Sequence, residues 1–98
     1  MSTKVILIII ATINPSEKDS LTYYLQEMNK LYQEVGANQI KKYQITESLI
    51  GEETANLVSI MEFPNREAME KVFKSEEYKK LVPYREKAFI KVTAMISE

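Results

Sequence analysis

The sequence predicts an α+β fold, βαββαβ in element order, with one four-stranded antiparallel sheet. Three observations carry it. Two runs, Val5 to Ile13 and Ala55 to Phe63, are apolar on both faces, as strands at the centre of a sheet must be. Two others, Asn38 to Gly51 and Ala88 to Ile96, mix polar and apolar residues as edge strands do. Helical periodicity fills the gap between the first run and the second and between the third and the fourth, whereas the middle two runs are joined by a short glycine-and-acid turn. Each helix therefore connects two strands, which is the split βαβ, ferredoxin-like arrangement. Right-handed crossovers then give the sheet order 4-1-3-2 and place the two doubly apolar strands in the middle.

In the first strand, Val5 to Ile13, only Thr12 is not apolar. Lys4 ahead of this run imitates a secretory leader, but the β-branched content, the Asn14-Pro15 stop and the lack of a small-residue cleavage pattern read as a strand. Asn14 then offers a helix cap, Pro15 suits the first helical position and Glu17 the third. Leu21, Tyr24, Leu25, Met28, Leu31, Tyr32 and Val35 form one buried stripe, and Gly36 stops the helix. The second strand puts Lys41, Tyr43, Ile45, Glu47 and Leu49 on one face and Ile40, Lys42, Gln44, Thr46 and Ser48 on the other. Gly51 to Thr54 reads as the hairpin loop. The third strand alternates Leu57, Ser59, Met61 and Phe63 against Val58, Ile60 and Glu62.

Pro64 ends that strand and Asn65 caps a helix whose buried side holds Ala68, Met69, Val72 and Phe73. Ser75 with Glu76 and Glu77 reads as a fresh cap for a short helical turn carrying Tyr78 and Leu81 inward, which Pro83 keeps from continuing far. The last strand sets Ile90, Val92, Ala94 and Ile96 against Phe89, Lys91, Thr93 and Met95. No repeat, linker or low-complexity segment interrupts the chain, so residues 1–98 read as a single domain.

Composition excludes more chemistry than any motif suggests. With no Cys there is no thiolate nucleophile, disulfide or thiolate metal site, and with no His there is no imidazole base or ordinary zinc site. No metal and no cofactor are expected. The net charge of −1 gives no reason to expect nucleic acid or an anionic membrane as partner. The apolar N-terminal run is too short to span a bilayer as a helix, and a cytoplasmic location follows as the expectation. Two helices cover only one face of a four-stranded sheet, yet the central strands are apolar on the other face too. The chain is therefore expected to pair with itself, sheet against sheet, as a homodimer.

The segment Met61 to Phe89 adds a resemblance. A strand ending in Glu62-Phe63-Pro64, a helix, then Phe73-x-Ser75-x-Glu77-Tyr78 and, seven residues on, Arg85 resembles the domain of unknown function 1330 (DUF1330) family of the dimeric α/β-barrel superfamily. The Asn14-Pro15 helix start fits as well, where that family usually has Asp-Pro. Relatives typically carry paired glycines and an arginine in the second strand and the turn after it, where this chain has Ala37-Asn38 and Glu47-Ser48-Leu49. The resemblance implies a ferredoxin-like protomer and a dimeric α/β-barrel with a cavity, and it implies no reaction.

The candidate ligand-binding residues are Tyr78, Arg85, Tyr43 and Ser75, with no catalytic residue identified. A phenol and a guanidinium at a cleft between helix and sheet can orient an anionic or carbonyl-bearing small molecule. Equally, Tyr78 can pack under the second helix while Arg85 pairs with a carboxylate such as Glu62 or satisfies carbonyls at the helix end. Ser75 has no histidine to activate it and suits a cap. Tyr43, with Lys41 and Lys42, either lines the barrel cavity or solvates an edge strand, and Tyr23, Tyr24 and Tyr32 read as core and flank. Three functions remain open: a dimer binding a small molecule in or near the intersubunit cavity, a cofactor-independent monooxygenase or isomerase-like enzyme, and a purely structural or regulatory dimer module.

Overall fold

The computed structural model describes residues 4–98; residues 1–3, which the single-domain span includes, lie outside the described residues. The order is β1 (Val5–Ile13), α1 (Lys18–Glu34), β2 (Asn38–Gln44), β3 (Leu57–Phe63), α2 (Arg66–Phe73), α3 (Glu76–Ala88) and β4 (Phe89–Ser97). The sheet runs β2-β3-β1-β4 with every neighbouring pair antiparallel, the expected order. The chain is 16 Å thick along its shortest axis, one layer of helix on one layer of sheet.

Alternation along the central strands decides what faces the helices. Val5, Leu7 and Ala11 of β1 are buried, as are Leu57, Met61 and Phe63 of β3, and they meet Tyr24, Met28 and Leu31 of α1 with Met69, Val72 and Leu81 of α2 and α3. Phe63, fully buried, lies edge-on to Tyr32 at 5.9 Å and tilted to Phe73 at 6.3 Å, and Phe73 meets Tyr78 edge-on at 5.0 Å. Registers lay the opposite face out in rows, Lys41–Ile60–Ile8–Met95 beside Tyr43–Val58–Ile10–Thr93. Ile6, Ile8, Ile10, Val58 and Ile60 are left partly exposed there, with polar residues around them, so the face the helices cannot reach is bare in a single chain. Thr12 Oγ1 on this face is buried without a hydrogen-bond partner among the described residues.

Four local expectations are corrected. Helix α1 starts at Lys18 with Glu17 as its cap residue, not at Pro15. Asn14 is engaged elsewhere: its N–H and side-chain amide donate to the carbonyls of Ala88 and Lys87, and its Oδ1 accepts from the Ser16 N–H, so residues 14–17 form a turn. Strand β2 ends at Gln44, far short of Gly51. Ile45 makes the last rung to Asn56, after which Asn56 bonds to β1 through Ala11 and Ile13, and Glu53 holds the Thr54 and Ala55 N–H groups away from the ladder.

Helix α3 runs through Pro83 to Ala88 instead of stopping after one turn. The bond the proline forfeits is to the Lys79 carbonyl; both residues are exposed, on the side of α3 that faces water, while Leu81 and Ala88 anchor the buried side. Finally, a register shift opposite Thr12 and Ile13 leaves Ile90 unpaired and 68% exposed. The bulge turns Phe89 inward in its place, so Phe89 joins Val92, Ala94 and Ile96 on the helix side.

Candidate functional site

Between the helices and the sheet lies a cavity of about 270 Å³, just under the usual size of ligand pockets. Its floor is Leu7, Ile9, Leu57, Ser59 and Met61 of the central strands, with exposed Val92 and Ala94 of β4 at the side. Its roof is Tyr24, Leu25, Met28, Asn29 and Tyr32 of α1 and Tyr78 and Arg85 of α3.

Ser75 builds the roof without joining it. Its Oγ accepts from the Tyr78 N–H at 3.0 Å and donates to the Val72 carbonyl at 2.7 Å, which fastens the end of α2 to the start of α3. Tyr78 thereby stands at the third residue of α3, and Arg85, two turns on, shares its face with Leu81 and Ala88. The helix carries Glu76 and Glu77 in its first turn and Arg85 and Lys87 in its last, in keeping with its dipole. Arg85 Nη1 donates to the Tyr78 hydroxyl at 2.6 Å, with its guanidinium 5.9 Å from the centre of that ring. The alternative partner Glu62 is 3.3 Å from Lys4 instead, and among the described residues no carboxylate lies within ion-pair distance of Arg85.

Tyr24 and Tyr32, read from the sequence as core and flank, complete the roof. Burial pushes the Tyr24 phenol far above the ordinary tyrosine range; the neighbouring phenols of Tyr78 and Tyr32 push it further, and Arg85 pulls the other way. Burial, then Tyr78, raises Tyr32 in the same sense. Both hydroxyls stay protonated at any physiological pH. On the floor Ser59 is the buried polar residue of the core, and its Oγ accepts from Gln39 Nε2 at 2.9 Å. The signal that could have found it is the interruption it makes in the inward series Leu57, Met61, Phe63.

Of the four residues singled out in the sequence, the fold brings Tyr78 and Arg85 together in the cavity, with Ser75 beneath them as a cap. Tyr43 stands apart. It projects from β2 on the bare face of the sheet, 47% exposed, with Lys41 Nζ 5.8 Å from its ring centre. Among the described residues no group of three or more acidic side chains is placed to hold a metal ion, and no helix is long and apolar enough to cross a membrane. Chemically, the cavity offers one fixed cation, neutral phenols and a serine set in apolar walls, an arrangement suited to binding and orienting an electron-rich group.

Residues 7–98 match the family described as a domain of unknown function (DUF1330), and the chain belongs to that family. No curated protein matches it. Among solved structures, a protein of unknown function from Rhodopseudomonas palustris superposes with a TM-score of 0.86 at 16% identity, over 99% of this chain and 82% of that one. A hydroxynitrile lyase from Passiflora edulis gives 0.73 at 9% identity, over 99% and 94%. The cofactor-independent oxygenase SnoaB from Streptomyces nogalater gives 0.69 at 7% identity, over 98% and 92%. At such identities the likeness is one of fold, and the fold carries more than one chemistry.

Proposed function

We propose that this member of the DUF1330 family is a small cytoplasmic homodimer that binds a small molecule in the cavity between its helices and its sheet. The observation that carries the reading is Arg85, half-buried at a 270 Å³ apolar cavity, bonded to Tyr78 and without a carboxylate among the described residues. A structural salt bridge would have supplied an acid; a binding site leaves that place for the ligand.

Dimer formation rests on the bare face, where apolar residues of β1 and β3 are ringed by Lys41, Asn38, Glu62, Lys91 and Thr93, the anatomy of an interface. Four strands and about seven residues of length give on the order of 450 Å² of flat area per copy, short of the roughly 600 Å² per copy at which stable pairs begin. The loop between β2 and β3 offers more: Leu49 and Ile50 are 93% and 89% exposed, on a tip that Ser48 Oγ braces by donating to the carbonyls of Ile50 and Gly51.

The test is a thermal-shift screen of ring-bearing small molecules on the wild type and on Ala94→Phe, which places bulk at the cavity wall. Hits that stabilise the wild type and not the variant support the site, and equal stabilisation of both rejects it. The alternative reading, a cofactor-independent oxygenase or isomerase-like enzyme, is favoured by the same cation and neutral phenols, which could hold an enolate or phenolate formed on a substrate. Turnover of any hit, lost in Arg85→Ala together with kcat, would establish it. A purely structural or regulatory dimer is what remains if no ligand stabilises the wild type.

A further inference from the structure

Arg85 is the one charged side chain lining the cavity among the described residues; everything else there is apolar, phenolic, hydroxyl or amide. A guanidinium keeps its charge, and Arg85, half-buried, holds that charge at the wall of the cavity. It has five N–H donors, and Tyr78 takes one of them at 2.6 Å. A phenol hydroxyl balances none of the charge. Tyr24, hydrogen-bonded to Tyr78, and Tyr32 line the same roof, so an oxygen placed against Arg85 has phenols among its neighbours. At the roughly 30 Å³ that a water occupies in the liquid, the cavity has room for about nine waters, the bulk of one ring bearing one small head group.

We propose, building on the small-molecule reading above, that the cavity selects a monoanionic ring compound such as an aromatic carboxylate. Its charged oxygens sit against Arg85 and accept from the roof phenols, and its ring lies on Leu7, Met28 and Met61. One fixed cation answers one negative charge. A second charge on the ligand would be buried against apolar walls, and a cationic ligand would face Arg85 directly. A neutral molecule of the same shape keeps the ring contacts and loses the ionic bond, so the site discriminates on charge more strongly than on outline.

The experiment is calorimetric titration of the whole chain with benzoate, its neutral isostere benzamide and the dianion phthalate, on the wild type, Arg85→Gln and Arg85→Lys. Benzoate is expected to bind at least tenfold more tightly than benzamide, with phthalate weaker than benzoate. Arg85→Gln should erase the preference for benzoate while benzamide still binds, and Arg85→Lys should restore part of it. Benzamide binding as well as benzoate, or an unchanged preference in Arg85→Gln, overturns the charge selection and leaves the cavity as a binding site. Failure of both benzoate and benzamide to bind overturns the proposal, and a blank thermal-shift screen beside it removes the binding reading as well. Should Arg85→Gln not fold, Tyr78→Phe serves: it removes a hydroxyl from the head-group end, and benzoate affinity should fall more than benzamide affinity, with equal losses counting against the proposal.

Discussion

The strongest stability prediction sets two neighbouring residues of β1 against each other. Leu7 points under the helices and is 3% exposed, whereas Ile8 points to the bare face in the row Lys41–Ile60–Ile8–Met95. In Ile8→Asp a dimer packed through this face loses about 1 kcal/mol per copy of apolar burial, since Ile8 is already partly covered within one chain. It also takes a carboxylate out of water, at about 2 kcal/mol or more per copy. With two copies the total is on the order of 6 kcal/mol, or roughly four decades in Kd. A nanomolar dimer would then dissociate in the tens of micromolar. Sedimentation velocity across a concentration series reads the Kd, and circular dichroism checks that the helices persist. Leu7→Asp is the contrast: a carboxylate among Met28, Met61 and their neighbours should unfold the chain. A wild type that sediments as a monomer at micromolar concentration, or an Ile8→Asp protein with unaltered Kd, refutes the assignment of this face.

Alkaline pH should act through the roof phenols. The folded-state pKa values of Tyr24 and Tyr32 lie above the unfolded value of about 10, so the stability they lend is complete below that pH and is lost as pH rises through the folded values. Urea midpoints should be flat from about pH 8 to 9.5 and fall above about 10, less steeply in Tyr24→Phe; a fall beginning near neutrality would contradict this. Pro83→Ala returns a donor to the Lys79 carbonyl in an exposed helix interior and should stabilise by about 1–2 kcal/mol after allowance for the freer unfolded chain. That is a rise in Tm of several degrees, and a drop would mean that the proline is needed where it stands. Thr12→Val removes a buried hydroxyl with no partner among the described residues and should also stabilise, by about 1 kcal/mol. A loss in that variant would show that the hydroxyl is bonded in the assembled protein.

Strand order, the two crossover helices that follow β1 and β3, and the bare face were legible because each rests on a period that a whole run of residues repeats; the length of α3 was not. Val5 to Ile13 cannot be an edge strand when both its faces are apolar, and Leu57 to Phe63 cannot be either. The errors fall where one local group chooses between competing partners. Asn14 has the chemistry of a helix cap, but the end of α3, more than seventy residues away, takes its N–H and its side-chain amide. Pro83 disfavours a helix interior, but its effect depends on which side of α3 faces water, and that is fixed by Leu81 and Ala88 against the body of the protein.

The site divides in the same way. Tyr78 and Arg85 were legible as a pair from the motif that carries the family resemblance, but not as neighbours on one stripe, because only a helix that runs through Pro83 sets Arg85 on the face that also carries Tyr78, Leu81 and Ala88. Tyr24 and Tyr32 lie on the apolar stripe of α1 with Met28 at its middle, and a stripe alone does not tell a phenol that packs from one whose hydroxyl reaches a cavity. The distinction comes from pairing the two stripes. α1 presents phenols, Met28 and Asn29 to the cavity and no acid, so the cation that α3 carries there has the Tyr78 hydroxyl as its hydrogen-bond partner and no carboxylate within ion-pair distance among the described residues. An acid there, or an aliphatic side chain in place of the arginine, would each spare part of the cost of holding a half-buried guanidinium beside apolar walls. That the chain carries neither solution is the physical reason to look for the missing negative charge on a ligand.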